Sequence, residues 1–329
     1  SSRNYIFEGN YLHNCGSNPS TAPSDLKSAS LVFTRATNVL VKNNIFDYIT
    51  GPVMDTSRCN NVVFDNNLIS SEQAAAWNTL QDPSVLRIRN STSGTRDIQV
   101  TNNVISKGDS TSLQAVYCLE VVGAADAKIE GVRVTGNKFE KTTRGVTVDH
   151  CFGRIDISEN EFSNLRGATA ADSCIVLDNM SGPTSAGAAK IIVNGNSTVD
   201  CLGRFFVYTA QTGTSNERSV RLTNNNWVLD TTLTAISSTS DGDQLCLING
   251  TTSGKLKSVY VSGNRWSGSD GPGFLKILNS NRGGAIEANK IYVKDVYEYG
   301  AVGDGVTDDK VALQQALTDL SVNNVGAAS

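Results

Sequence analysis

Three acidic residues occupy the same position in three similar segments: Glu120 in "YCLEV", Asp149 in "VTVDH" and Asp178 in "IVLDN". The first and third residues of each segment are mostly apolar and face the core, so the second and fourth face outward. In stacked parallel strands, neighbouring carboxylates would lie about 4.8 Å apart and the outer two about twice that. Such crowded carboxylates cannot all ionise easily, so an acid and a base can coexist. These two distances are close to the carboxyl separations of retaining and inverting glycosidases.

Residues on the neighbouring segments extend this pattern into a predicted saccharide groove. Arg87 and Arg89 point outward from "LRIRN", one strand before the acids, and Phe206 and Tyr208 point outward from "FFVYT", one strand after them. The groove would then have a cationic, an acidic and an aromatic section, with Tyr208 lining it. We therefore predict that these four side chains contact a polysaccharide.

His150, Trp77 and Asp55 are further candidates on the same face. His150 directly follows Asp149, Asp55 of "PVMDT" occupies the same outward column, and Trp77 lies in the inserted loop "SEQAAAWNTLQDP". We predict that His150 and Trp77 contact the substrate. Acidic residues at outward strand positions are commonly only solvated, so a role outside catalysis stays open for each carboxylate.

The sequence predicts neither a metal site nor a cofactor. It has only two histidines, His13 and His150, which disfavours a multi-histidine metal site. Calcium held by stacked acids would need several oxygen ligands converging on one point and stays a minor alternative. The seven cysteines show no CxxC spacing, which predicts buried free thiols in a chain folded in a reducing compartment.

An internal repeat indicates which elements would position these residues. One eight-residue pattern recurs nine times, with a short strand, a polar pair ending in asparagine, one variable residue and usually a large apolar residue. The copies are "YIFEGNYL", "VLVKNNIF", "VVFDNNLI", "IQVTNNVI", "VRVTGNKF", "IDISENEF", "IIVNGNST", "VRLTNNNW" and "VYVSGNRW". Their asparagines are 23 to 39 residues apart, which fits coils of three short strands with loops of different length. The repeat predicts an all-β fold, a right-handed parallel β-helix.

The stacked repeats also predict the contacts inside the coil. Equivalent residues would lie about 4.8 Å apart, so inward side-chain amides would hydrogen-bond along the stack as an asparagine ladder. The ladder would contain Asn10, Asn44, Asn67, Asn103, Asn137, Asn160, Asn196, Asn225 and Asn264. Two apolar core columns would run beside it, one through Val39, Val62, Val132 and Ile155, the other through Phe46, Ile69, Phe139, Phe162, Trp227 and Trp266.

Charge and hydropathy disfavour two classes of partner. The net charge is -4 and basic residues form no block, so nucleic acid and anionic membranes have no electrostatic support as partners. No apolar run approaches the roughly 20 residues of a membrane helix, and "SSRNYIFEGN" lacks the pattern of a secretory signal. We therefore expect a soluble protein without membrane insertion.

The segment "VKDVYEYGAVGDGVTDDKVALQQAL" (293–317) resembles the opening segment of the pectate-lyase-like right-handed β-helix superfamily, in its phage tailspike and polysaccharide depolymerase type. In that family a similar strand, Gly-Asp-Gly turn and helix cap the first coil, and the nine repeats resemble the family's coils. The resemblance implies a virion-attached, extracellular spike that folds in the host cytoplasm. It further implies a homotrimer that binds and cuts bacterial surface polysaccharide.

The same segment predicts one short amphipathic helix near the C-terminus. Thr307, Asp308 and Asp309 suit a helix start, because their side chains can cap the first turn. The apolar stripe of the helix would contain Leu313, Ala316, Leu317 and Leu320. We divide the chain into a parallel β-helix, 1–290, and a strand-turn-helix cap segment, 291–329, whose C-terminal position departs from the family order.

These observations predict an endo-acting glycoside hydrolase of a bacterial surface polysaccharide. Asp149 would act with either Glu120 or Asp178 as acid and base or nucleophile, and this assignment depends on strand alignment alone. One alternative is a polysaccharide lyase, which needs a base and a cation or arginine to stabilise the developing charge. The other alternative is a non-catalytic glycan-binding or structural virion spike.

Overall fold

Short strands wind into three parallel sheets in the computed structural model of the chain. The structure describes residues 3–15, 29–49, 52–71, 84–89, 96–107, 117–124, 128–165, 173–180, 189–201, 204–210, 218–229, 246–250, 256–267, 275–279 and 308–315. Each coil contributes one strand to each sheet, and each strand pairs in parallel with its equivalent in the next coil. The fold is the right-handed parallel β-helix that the repeat predicts.

The three sheets contain nine strands each within the described part of the chain. Sheet A contains β1 (Tyr5–Glu8), β4 (Thr37–Lys42), β7 (Asn60–Asp65), β10 (Arg96–Thr101), β13 (Ile129–Thr135), β16 (Cys151–Ser158), β19 (Ala189–Asn194), β22 (Arg218–Thr223) and β25 (Leu256–Ser262). Sheet B contains β2 (Tyr11–His13), β5 (Ile45–Asp47), β8 (Leu68–Ser71), β11 (Val104–Lys107), β14 (Lys138–Glu140), β17 (Glu161–Ser163), β20 (Ser197–Cys201), β23 (Asn226–Leu229) and β26 (Arg265–Ser267). Sheet C contains β3 (Leu31–Thr34), β6 (Met54–Ser57), β9 (Ser84–Arg89), β12 (Tyr117–Val122), β15 (Arg144–Asp149), β18 (Ser173–Met180), β21 (Arg204–Ala210), β24 (Cys246–Gly250) and β27 (Leu275–Asn279).

A two-residue corner joins sheet A to sheet B in every coil. The residue before each ladder asparagine has a positive φ, which ranges from 52° at Asn66 to 70° at Gly136. Glycine and asparagine adopt this left-handed conformation more readily than other residues, so the corner selects the "GN" and "NN" pairs of the repeat. Glu159 is the one exception among the nine corners.

The asparagine ladder fills this corner and joins the coils. Asn103 donates from its backbone nitrogen and from Nδ2 to Oδ1 of Asn137, both at 2.9 Å, and its Nδ2 also donates to the Phe64 carbonyl. The same pair of hydrogen bonds joins every successive ladder asparagine from Asn10 to Asn264. All of them except Asn10 are buried. The predicted ladder is therefore confirmed.

Both predicted apolar columns lie in the core. In sheet A, Val39 pairs with Val62 and Val132 pairs with Ile155, and all four are buried. In sheet B the register joins Phe46, Ile69, Phe139, Phe162, Trp227 and Trp266, with Ile105 and Thr198 in the intervening coils. Trp227 is buried, as predicted, and the side chain of Trp266 lies outside the described residues.

The short helix near the C-terminus is confirmed at residues 310–315. Ala312 is buried there, whereas Leu313 is 47% exposed. The other three residues of the predicted stripe, Ala316, Leu317 and Leu320, and the proposed domain boundary at 290 lie outside the described residues. The capping role and the domain division therefore stay predictions. Within the described part of the chain, no helix has the length and hydrophobicity needed to cross a membrane.

Replacing a central ladder asparagine should destabilise the coil far more than replacing the first one. Asn137→Ala removes the acceptor of two buried N–H donors of Asn103, so we expect a loss of about 2–4 kcal/mol in the free energy of unfolding. Asn10→Ala affects an exposed residue, and we expect a loss below about 1 kcal/mol. Chemical denaturation monitored by circular dichroism would measure both. Equal losses would contradict a ladder that stabilises through buried donors.

All seven cysteines are free thiols, and six of them are buried, which agrees with the predicted thiol state. Burial raises the pKa of Cys118 to about 12 and also raises the pKa of Cys59, Cys151 and Cys246. Cys15 is the partly exposed one. Thiolate is the form that reacts with alkylating agents, so a raised pKa and burial both protect a thiol.

Iodoacetamide at pH 8 should therefore modify Cys15 at least about tenfold faster than Cys118 in the folded protein. Peptide mass spectrometry over a time course gives both rates, and the same reaction in denaturant provides the control in which the rates converge. Similar rates in the folded protein would show that the core around Cys118 opens.

Candidate functional site on the outer wall of sheet C

The predicted acidic column is only partly assembled on the outer wall of sheet C. Asp149 and Asp178 are Cα partners on β15 and β18, and both are partly exposed. Glu120 pairs with Thr147, and Val122 pairs with Asp149. Glu120 faces outward as predicted, but it lies two residues from the Asp149 column, which places its Cα about 8 Å from that of Asp149. The expected stack of three carboxylates is therefore wrong, and a pair remains.

The physical reason is that a shift in register by two residues leaves the alternation of inward and outward side chains unchanged, so the alternation does not fix the register. Leu119 and Val121 face the core, as the prediction required. However, Leu119 rather than Tyr117 takes the position of Leu86 in the preceding coil. The face of Glu120 was predictable from its neighbours, whereas its position along the strand depends on the loops that connect the coils.

Phe206 and Tyr208 point into the core instead of outward. Both are fully buried, with Phe206 paired to Ile175 and Tyr208 paired to Leu177. The segment 205–208, "FFVY", is apolar or aromatic throughout, so alternation does not identify its outward face, and a shift of one residue reverses it. The prediction that these rings line a groove is wrong. Trp77 lies outside the described residues.

The two arginines face outward as predicted, but each is paired with a carboxylate. Arg89 donates from Nε and Nη2 to the two carboxylate oxygens of Asp55, at 3.1 and 2.5 Å. Asp55 is buried, and its Cα partner in the register of sheet C is Arg87. The predicted column required Arg89 as that partner. Nε of Arg87 lies 3.5 Å from Oε2 of Glu120, and the same oxygen accepts a hydrogen bond from Ser84. These contacts join neighbouring strands and occupy both guanidinium groups.

A one-residue corner between β15 and β16 positions the Asp149 carboxylate. His150 occupies this corner, and Asn179 is the equivalent residue near the end of β18; their φ angles are positive, 49° and 47°. Histidine and asparagine are enriched among the non-glycine residues that adopt this conformation. Nδ2 of Asn179 donates to Oδ1 of Asp149 at 3.0 Å, and Nδ1 of His150 lies 2.8 Å from the same oxygen. His150 therefore lies against Asp149, and its expected contact with a substrate stays a prediction.

The two aspartates of the pair have different surroundings. Asn179 and His150 orient Asp149, whereas within the described residues no hydrogen bond or ion pair reaches the Asp178 carboxylate. Neighbouring parallel strands place their Cα atoms about 4.8 Å apart. The pair thus combines one oriented carboxylate with one that has no side-chain partner among the described residues. No group of three or more His, Cys, Asp or Glu residues in the described part of the chain is placed to hold a metal ion.

The structure also contains a groove on the outer face of sheet A that the sequence analysis did not identify. Its volume is about 530 Å³, and its lining includes Arg133, Asp156, Arg221 and Tyr260. Each of these residues is the second residue of an eight-residue repeat, as in "VRVTGNKF" and "IDISENEF". The second position of each repeat could therefore have located the groove, although the residue there varies while the ladder asparagine stays constant.

A second unpredicted cluster lies on sheet B at the first two described coils. Asp47 accepts a hydrogen bond from Tyr11 at 3.0 Å, and Nδ1 of His13 lies 3.0 Å from the same oxygen. The contacts with His13 and Tyr11 lower the pKa of the Asp47 carboxyl, and the hydrogen bond to Asp47 raises the pKa of the Tyr11 hydroxyl. All three residues are exposed or nearly so, so water competes for these contacts and they stabilise the coil little.

Comparison with protein-family models, with curated proteins and with solved structures finds no match to this chain. The fold is therefore established by the coordinates and the repeat. The superfamily stays a resemblance of one segment and of the coil pattern.

Glu120 should contribute to stability through its partners on β9. Glu120→Ala deprives Arg87, whose side chain is 10% exposed, of a carboxylate and should lower the free energy of unfolding by about 1–3 kcal/mol. Glu161→Ala is the matched control, because that glutamate is 46% exposed beside Lys138 and should cost below about 0.5 kcal/mol. Urea denaturation of both variants measures the difference. A Glu120→Ala loss no larger than the control would contradict a structural role.

Proposed function

We propose that this chain is an endo-acting glycoside hydrolase that cleaves a bacterial surface polysaccharide on the outer wall of sheet C. The observation that carries the proposal is the pair Asp149 and Asp178, which lie on adjacent strands, are partly exposed and differ in their hydrogen-bond partners. Neighbouring parallel strands place the Cα atoms of this pair about 4.8 Å apart, a spacing compatible with the roughly 5 Å carboxyl distance of retaining glycosidases.

The proposed mechanism assigns a different step to each aspartate. Asp178 donates a proton to the glycosidic oxygen as that bond breaks, and the oriented carboxylate of Asp149 attacks the anomeric carbon to form a glycosyl ester. Asp178 then takes a proton from water, and the resulting attack on the anomeric carbon releases the sugar and restores Asp149. Asn179 and His150 position Asp149 for both displacements.

The pairing of the arginines favours hydrolysis over elimination. A lyase needs a cation or arginine close to the base to stabilise the charge that develops on a uronate carboxyl group. Arg89 on this wall is held by Asp55, and Arg87 contacts Glu120. Glu120 contacts Ser84 and Arg87, which supports Asp178 rather than Glu120 as the partner of Asp149.

The biological setting of the proposal comes from the resemblance of 293–317 and of the coils to the tailspike type. In that setting the chain would be a trimeric, virion-attached spike that shortens capsule or O-antigen chains outside the cell. The elongated outer wall of a solenoid suits a linear polymer, because one chain can contact several successive coils.

A panel of capsular and O-antigen polysaccharides, incubated with the protein and sized by gel filtration, tests this function. We expect at least one polymer to be shortened to oligosaccharides, without the ultraviolet absorbance of an unsaturated sugar. Asp149→Asn and Asp178→Asn should each reduce the rate about 10²-fold or more, because each removes a reacting group. Nuclear magnetic resonance of the first product should show retained anomeric configuration.

Asp200→Asn is the matched control, since Asp200 is an exposed aspartate of sheet B, and its rate should equal that of the unmodified protein. Unsaturated products would contradict hydrolysis and identify the protein as a polysaccharide lyase. Binding without cleavage, unchanged in the two variants, would identify a non-catalytic spike.

A further inference from the structure

The groove on the outer face of sheet A is lined by one continuous column of side chains. In the register of the sheet, Arg133 pairs with Asp156, Asp156 with Ile192, Ile192 with Arg221, and Arg221 with Tyr260. A second pocket of about 340 Å³ shares Arg133 and Asp156 with this groove and continues it to β10. Together they cross six strands, or about 24 Å at the spacing of a parallel sheet. An extended polymer fits this shape better than a compact molecule.

Two arginines of this column have no carboxylate partner among the described residues. Nε of Arg133 donates to the hydroxyl of Thr135, and the guanidinium of Arg221 stacks on the ring of Tyr260 at 4.9 Å. Both arginines are exposed, and they lie three strands apart, or about 14 Å. Guanidinium groups bind carboxylates through paired, charge-assisted hydrogen bonds, so this spacing suits a polymer that carries carboxylates.

The carboxylates of the groove do not cancel this preference. Both oxygens of Asp156 already have partners, because Oδ2 accepts from Arg154 at 2.6 Å and Oδ1 accepts from Ser158 at 2.5 Å. Asp97 lies near the start of β10 and Glu159 follows the end of β16, so in a parallel sheet they flank the column from opposite edges. Arg133 and Arg221 lie on either side of Asp156 and Ile192, so a ligand extended along the column contacts both arginines.

The remaining lining suits sugar rings and their hydroxyl groups. Tyr260 is 41% exposed, and its ring with the stacked Arg221 gives a flat platform of the kind that sugars contact. Oδ1 of Asn194 accepts hydrogen bonds from Thr223 and Asn224, and among the described residues its amide nitrogen has no acceptor, so it can donate to a ligand. A column of hydroxyl and amide side chains thus runs beside the arginines.

From this geometry we infer a second binding site, in which the sheet A groove binds an extended stretch of an acidic polysaccharide containing uronate residues. The site lies on a different sheet from Asp149 and Asp178 and does not require their reaction. It would hold polymer against the solenoid whether or not sheet C cleaves it.

Isothermal titration calorimetry of the full chain with hexasaccharides of polygalacturonate, alginate, hyaluronan and heparosan tests the inference. An Asp149→Asn, Asp178→Asn background prevents cleavage of the probes, and neutral maltohexaose serves as the uncharged control. We expect at least one acidic probe to bind with a Kd of about 1 mM or tighter, to bind more weakly as salt rises, and maltohexaose to bind at least tenfold more weakly.

Arg133→Gln and Arg221→Gln should each weaken that binding about tenfold, because each removes one charge-assisted contact. Arg265→Gln, at an exposed arginine of sheet B, should leave the Kd unchanged. Absence of binding by all four acidic probes would overturn the inference, as would binding that both groove variants retain. If the groove binds an acidic probe but the protein cleaves no polysaccharide, only the proposed hydrolase is contradicted. If the protein cleaves a polysaccharide but the groove binds no acidic probe, only the second binding site is contradicted.

Discussion

The bond between successive ladder asparagines is the interaction on which the rest of the structure depends. A backbone N–H and a side-chain amide of one coil share the Oδ1 of the next, as Asn103 does with Asn137. Because the donors are buried, a coil out of register would leave two polar groups without partners. The ladder therefore fixes the alignment of sheets A and B at the corner that they share. The lengths of the loops complete the alignment on sheet C, and together they decide which outward side chains become neighbours.

This alignment determines what each outer wall offers to a ligand. On sheet C it brings Asp149 beside Asp178 and joins Arg89 to Asp55, so opposite charges are paired on β6 and β9 and like charges meet on the middle strands β15 and β18. On sheet A it leaves Arg133 and Arg221 without carboxylate partners in the described part of the chain. The two walls are thus chemically different, although their strands share the same coils and the same core.

Periodicity in the sequence was sufficient for the coil but only partly for the site. The repeat located the ladder and both core columns, since asparagine at a left-handed corner and apolar residues at alternate positions leave a strong local pattern. Glu120 was placed on the correct face but in the wrong column, because a shift of two residues preserves alternation. Phe206 and Tyr208 were placed on the wrong face, because an unbroken apolar segment has no alternation to interpret.

Pairings between side chains of different coils were the least predictable feature. The contact of Arg89 with Asp55 joins residues 34 positions apart, and that of Asn179 with Asp149 joins residues 30 apart. Both depend on the exact number of residues in each intervening loop and on a left-handed residue at the corner. Neither quantity follows from the identity of the residues alone. The outward position of the repeat follows from alternation, as "VRVTGNKF" shows for Arg133, but the residue there varies from coil to coil and so forms no motif.

The direction of the ladder has a consequence for how such a solenoid grows from the ribosome. Each ladder asparagine from Asn10 to Asn225 donates its backbone N–H and one Nδ2 hydrogen bond toward the C-terminal side, so these donors acquire their acceptor only after the following coil has been synthesised. The newest coil is always the one with unfilled donors, and completion passes along the chain in the order of translation. A polypeptide interrupted between two coils would have unpaired ladder N–H groups at its C-terminal end. The Oδ1 of an asparagine in a neighbouring nascent chain could then accept their hydrogen bonds.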